Sequence, residues 1–110
     1  MIKRQCSPSM RHLREVVRQE FAGLESVEAG FIDRGSTGTR IWAITKGVRN
    51  PAVESALAAK ENKICQMRPD LKLNFNAVPL GKEPKAPTLR FFRRTGAICA
   101  YLRKPERRAA

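Results

Sequence analysis

The chain has 110 residues, 42% hydrophobic and 29% charged, enough for one domain with a real core and too few for two. Its 22 Lys and Arg against 10 Asp and Glu leave a net charge of +12, which gathers polyanions around it: nucleic acids, anionic membranes or acidic protein surfaces. No run approaches the roughly 18 apolar residues of a membrane span, and the basic start MIKRQCSPSMRH is not followed by an apolar signal core, so a soluble, unexported, cytoplasmic protein is expected. Three cysteines, Cys6, Cys65 and Cys99, form no CxxC pair, and their odd number fits a reducing compartment.

Residues 1–8 read as a frayed basic arm. Ser7 or Ser9 can then cap a helix with Met10, Leu13, Val16, Val17, Phe21 and Leu24 on one side and Arg11, Arg14, Glu15, Arg18 and Gln19 on the other. Next, Ser26–Asp33 carries Val27, Ala29 and Phe31 in alternation, and Thr39–Lys46 resumes with Ile41, Trp42, Ala43 and Ile44. The polar Arg34-Gly-Ser-Thr-Gly between them predicts a hairpin whose turn needs a positive φ. The two glycines invite a phosphate cradle, but no Lys-Ser/Thr follows and no helix starts there, so the P-loop template fails. Nor does a carboxylate pair follow to hold a catalytic metal.

The clearest periodicities lie back to back between Asn50 and Leu80. Asn50 is a good N-cap and Pro51 a good first helical residue, and Val53, Leu57, Ile64 and Met67 recur at helical spacing, with Ala56 and Lys60 filling the stripe, until Pro69 forbids continuation. Within this helix Cys65 reads as a small buried hydrophobe. From Leu71 the period becomes two: Leu71, Leu73, Phe75 and Ala77 alternate with Lys72, Asn74 and Asn76. Residues 9–80 therefore predict an α+β fold of order α-β-β-α-β, with two helices on one face of a small mixed sheet and the third strand parallel to the first or second. This element order resembles that of the type II KH module and the iron–sulphur scaffold domain. The central helix lacks a GxxG between two half-helices, and there is no CxxC loop, so neither family's activity carries over to these residues.

Residues 81–88 read as a Pro- and Lys-rich linker. Beyond it, Leu89, Phe91 and Phe92, then Arg93-Arg94-Thr95-Gly96, then Ile98, Cys99 and Tyr101 predict a basic C-terminal β-hairpin over residues 89–104, docked on the domain, and a disordered tail over 105–110. Residues 81–110 hold nine of the 22 basic residues and two of the ten acidic ones, so +7 of the +12 sits there.

No constellation points to catalysis. His12 is the only histidine and has no partner acid or nucleophile in sequence, Ser36, Thr37 and Thr39 lack a base, and Cys65 with Cys99 does not make a zinc site. The sequence predicts a protein that is not an enzyme and needs no metal or cofactor. Charge makes nucleic acid, single-stranded or structured and bound without much sequence specificity, the expected partner. Arg90, Arg93, Arg94, Arg103 and Lys104, helped by Arg40, Lys46, Arg49 and Lys72, would meet phosphates, and Trp42 would stack on a base if it faces outward. The alternative is an interaction module that forms a homodimer or docks an acidic protein through its sheet face or edge. A membrane-surface role ranks third, because the basic residues are not gathered opposite one strongly apolar helix face.

Overall fold

The computed structural model describes residues 8–103. Its elements are α1 (Pro8–Ala22), β1 (Val27–Gly35), β2 (Gly38–Thr45), α2 (Pro51–Met67), β3 (Leu73–Pro79), α3 (Lys85–Arg94) and β4 (Ile98–Leu102). The strands form one mixed sheet in the order β3-β2-β1-β4. β1 is antiparallel to both β2 and β4, and β3 returns from α2 parallel to β2. The α+β reading and the parallel third strand hold. No helix among the described residues is long and apolar enough to cross a membrane.

Each face of the sheet has its own core. On one, Leu13, Val16, Val17 and Phe21 of α1 and Leu57 and Ile64 of α2 bury against Val27, Ile32, Ile41, Ala43 and Ala100. Phe21 lies so close over β1 that a Cβ on Gly30 would come within 2.6 Å of its ring, so only glycine lets α1 sit there. A β-bulge between Val27 and Ala29 flips the strand, and Val27 faces α1 while Ala29 and Phe31 face the other way. Strict alternation had placed all three on one side. In the two-residue Ser36-Thr37 loop no positive φ occurs; Gly38, with φ 141°, takes the unusual conformation just after it.

α2 starts as expected, with the Asn50 side chain accepting from the Ala52 and Val53 amides and Pro51 in first place. Its buried stripe is narrower than predicted. Leu57 and Ile64 are buried, but Met67 is 43% exposed and Cys65 is exposed rather than packed, because it sits about a quarter of a turn outside the Leu57–Ile64 line. Lys60 and Lys63 reach instead to the buried carboxylate of Glu20 on α1. α1 begins at Pro8, so Ser9 is inside the helix, where its hydroxyl and carbonyl accept from the buried Arg68 guanidinium at the end of α2. Ser7 and the rest of the arm lie outside the described residues.

The C-terminal hairpin is half right. Its second arm is β4, paired to β1, but its first arm is a helix, and the predicted linker supplies that helix's first turn. Pro84 and Pro87 read as linker, yet proline is tolerated in a first turn, where the amide has no intrahelical acceptor. Leu89 and Phe92, three apart, are the two buried residues of α3. Thr95-Gly96 forms a helix stop instead of a hairpin tip: the Ala97 amide donates to Phe92 O and the Gly96 amide to Arg93 O, with Gly96 at φ 85°. Lys104 and the tail over 105–110 lie outside the described residues.

Candidate functional site

α3 packs on the face of the sheet opposite α1 and α2, which the sequence left open. Side chains on that face follow from the register. Asp33 of β1, Arg40 of β2 and Asn74 of β3 form one row across the strands, and Phe31, Trp42 and Asn76 form the next. Phe92 docks on the second row: its ring stacks on Phe31 at 5.0 Å and 11°, and meets Trp42 at 5.3 Å, tilted by 54°. Ala29, Ile44 and Leu89 complete this smaller core. Trp42 is thus half-buried, neither wholly core nor an open platform.

α3 lies nearest β1, and its flank and the β2–β3 half of the sheet wall an open groove of about 1210 Å³ that continues past Gly96 and Ile98 to Ile32 and to Met10 of α1. Trp42 and Val78 are on the sheet side, and Pro87, Thr88, Phe91 and Thr95 on the helix side. Phe91 stands edge-on to Phe92 at 5.3 Å and remains 59% exposed, the largest exposed aromatic among the described residues. One end of the groove is polar. There Arg40 donates through Nε and Nη2 to the two Asp33 carboxylate oxygens at 2.8 and 3.1 Å, with its guanidinium carbon 5.8 Å from the centre of the Trp42 ring. The Arg40 side chain crosses Gly35, where a Cβ would stand 3.2 Å from its Nε. Arg34 also lines the groove, although alternation along β1 gives it the sheet face of Ile32 rather than that of Asp33.

The other cations distribute around this groove unevenly. At 100° per residue, Phe91, Thr88 and Thr95 take the groove flank of α3, Pro87 and Arg94 its crest, and Arg90 and Arg93 the far flank, all three arginines exposed. Lys72 is exposed beside the β1–β2 turn, its carbonyl accepting from the Thr39 amide. Lys46 pairs with Glu28 at 3.7 Å, and Arg49 pairs with Glu54 at the start of α2. Arg103 does something else: it donates to Val27 O and Leu24 O and lies over Tyr101, which fastens the loop after α1 to the end of β4.

So the structure brings Arg40 and Trp42 to one groove, leaves Arg90, Arg93, Arg94 and Lys72 exposed outside its lining, pairs Lys46 and Arg49 with carboxylates, and turns Arg103 to backbone carbonyls. Phe91, Asp33 and Arg34 are the groove residues that sequence reasoning missed. The Leu89–Phe92 spacing was the available signal, since a helical reading of 85–94 turns Phe91 away from the core. His12 is exposed, with Nδ1 3.3 Å from Arg68. Among the described residues no three His, Cys, Asp or Glu come together as metal ligands. No protein-family model matches the chain, and no curated protein does.

Proposed function

We propose that this protein is a small basic binding module that holds single-stranded nucleic acid in the groove between α3 and the β2–β3 half of the sheet. The observation that carries the reading is Phe91, an aromatic ring 59% exposed on the wall of a groove floored by Trp42, in a chain of net charge +12. Large exposed rings are uncommon on a surface without a partner, and an exposed ring beside arginines supplies both halves of single-strand binding: stacking for a base, of about 1–3 kcal/mol per base, and cations for its phosphates. A duplex would not fit this arrangement, because a paired base cannot present its face to Phe91. Phosphates on either side of the stacked base fall to Arg34 at one end and Arg94 on the crest, with Lys72, Arg90 and Arg93 around them.

Trp42 is the only tryptophan, so its fluorescence reports on the groove directly. Titration with a mixed-sequence 12-nucleotide single strand should quench it, and log K should fall against log salt with a slope near −2, roughly three phosphates neutralised. Absent binding at low salt, or affinity indifferent to salt, would overturn the reading. Sedimentation decides the competing one: a stable dimer that buries Phe91 and ignores oligonucleotide makes the groove an interface between copies.

A further inference from the structure

We infer that the bound strand leaves the groove past Met10 and Ile98 and runs on along α1, where Arg11 and Arg14 take two further phosphates. This rests on the reading of the groove as a single-strand site and lengthens that site by a second stretch. The groove does not stop on the α3 face. Gly96, Ile98, Ile32 and Met10 line it as well, so it turns round the end of the sheet onto the face that carries α1. Arg34 belongs to this corner, since it shares the sheet face of Ile32 and still lines the groove. Beyond the corner a second cleft, of about 540 Å³, lies between α1 and β4, with Arg11, Arg14, Arg18 and Ala100 in its lining. The two clefts adjoin on both walls, because Arg11 follows Met10 on α1 and Ala100 stands two residues beyond Ile98 on β4.

The course of α1 lines its arginines up along the edge of the sheet. Met10 shares the groove with Ile32 and Ile98, Phe21 lies over Gly30, and β1 pairs Ile32 with Ile98 and Gly30 with Tyr101, so α1 and β4 run side by side in one direction. Leu13, Val17 and Phe21 face the core, and at 100° per residue Arg14, Arg18 and Arg11 then come out on the flank beside β4, the edge strand. Arg14 Nε donates to Cys99 O at 3.2 Å, which holds the guanidinium over that edge and leaves its Nη donors for a ligand. Arg11 is exposed and has no hydrogen-bond or ion-pair partner among the described residues. Arg18 is partly spent, as it donates to Glu15 through Nε at 3.2 Å and through Nη2. Lys46, Arg49, Lys60 and Lys63 are likewise matched to carboxylates, so Arg11 and Arg14 stand out as cations that no acid neutralises. Along the helix axis Arg11 and Arg14 are about 4.5 Å apart and Arg14 and Arg18 about 6 Å. Those steps suit successive phosphates of an unstacked strand, which stand farther apart than the roughly 3.4 Å rise of a stacked one.

The test compares 4- and 16-nucleotide thymidine strands by anisotropy of an end label over a range of salt concentrations. The short strand has only the groove to fill and keeps a slope near −2, whereas the long one reaches α1 and should be steeper by roughly 1.4, two phosphates at about 0.7 each. Arg11→Ala combined with Arg14→Ala, checked for folding by its unfolding midpoint, should weaken the long strand by about tenfold at about 0.1 M salt and the short one by less than about twofold. A control pair, Arg49→Ala with Lys82→Ala, removes the same charge at the opposite end of the sheet, beside the Gly47–Gly81 bridge, and should cost the long strand no more than about twofold. Glu15→Gln frees Arg18 and should tighten the long strand by about threefold, a gain that damage to the fold does not produce. Equal slopes for the two lengths would overturn the α1 track and leave the groove reading standing. So would equal losses from the α1 pair and the control pair, or an equal loss of both strands in the α1 pair. If neither strand binds the unaltered protein, the groove reading fails and the track with it.

Discussion

Replacing Phe92 with alanine tests whether the two cores on opposite faces of the sheet are energetically separate. Phe92 is 5% exposed and touches three other rings, stacked on Phe31, tilted to Trp42 and edge-on to Phe91. Removing a buried phenyl ring costs about 3–5 kcal/mol, and the ring contacts put this site in the upper half of that range. Spread over the whole 110-residue chain, about 4 kcal/mol would lower the melting temperature by roughly 15–20 °C, from an unfolding entropy near 2.1 cal/mol/K per residue. The structure predicts less than that. α3 has ten residues and only Leu89 besides Phe92 to anchor it, and a helix that short is not stable alone. It should detach while α1, α2 and their core stay folded, so the loss is limited to the free energy that docks α3. Three readouts follow: a melting temperature lowered by about 5–10 °C, a red shift of Trp42 emission well below the transition, and trypsin cleavage after Arg90, Arg93 and Arg94 at least about tenfold faster than in the unaltered protein. A full 15–20 °C fall with unchanged Trp42 emission and unchanged cleavage would refute the separation, since the protein would then unfold only as one unit.

Three other outcomes are expected. Gly30→Ala should destabilise by about 1–3 kcal/mol in urea titration, because the new methyl meets the Phe21 ring at 2.6 Å in a fully buried contact; a neutral result would mean that α1 slides freely over β1. Arg94→Ala should weaken oligonucleotide binding by about threefold or more and lower the salt slope by roughly 0.7, whereas Arg93→Ala, on the flank away from the groove, should do clearly less. Both should change stability by no more than about 1 kcal/mol, the usual contribution of a cation at a helix C-terminus; equal binding losses would move the path of the strand off the groove. Arg68 donates two hydrogen bonds to Asp70 and holds its carboxyl below the usual aspartate range. A depressed native pKa stabilises above the unfolded value, so Asp70→Asn should be less stable than the unaltered protein at pH 7. The gap should close as pH falls below about 4 and through the native pKa. A gap that persists at pH 2, measured by denaturant midpoint, would mean that the Asn amide disturbs something other than the ion pair.

The fold was legible wherever one periodicity ran uninterrupted. α1 shows a single apolar stripe, α2 has Asn50-Pro51 at its start and Pro69 past its end, and β3 alternates cleanly, so these elements and their layering follow from local rules. α3 was not legible because its ten residues fit two periods at once. Leu89 and Phe91 alternate as in a strand, Leu89 and Phe92 recur as in a helix, and the two prolines near its start mimic a linker. Tertiary context decides between them: Phe31 and Trp42 offer flat rings on an otherwise bare sheet face, and only the helix brings Phe92 down onto them. The bulge at the start of β1 was hidden for a similar reason, as nothing in Val27-Glu28-Ala29 departs from alternation. What forces it is that both faces of β1 are covered. The candidate site depends on both features, which explains why Trp42 and Arg40 were found from sequence while Phe91 and Asp33 were not.

β1 is the first strand of the chain to be made and lies inside the sheet, yet one of its two neighbours, β4, is the last, with Phe31 paired to Cys99. While the chain is being synthesised, β1 can already join β2 but must wait for residues 98–102 with its other edge unpaired and with the Phe31 ring uncovered until α3 exists. An unpaired edge next to exposed aromatics is where nascent chains stick to one another. Arg34 near the end of β1, Arg40 on β2 opposite Asp33, and the excess of positive charge along the whole chain keep two such intermediates apart by repulsion. The same arginines that line the groove in the finished molecule thus protect the strand during the interval before the groove is formed.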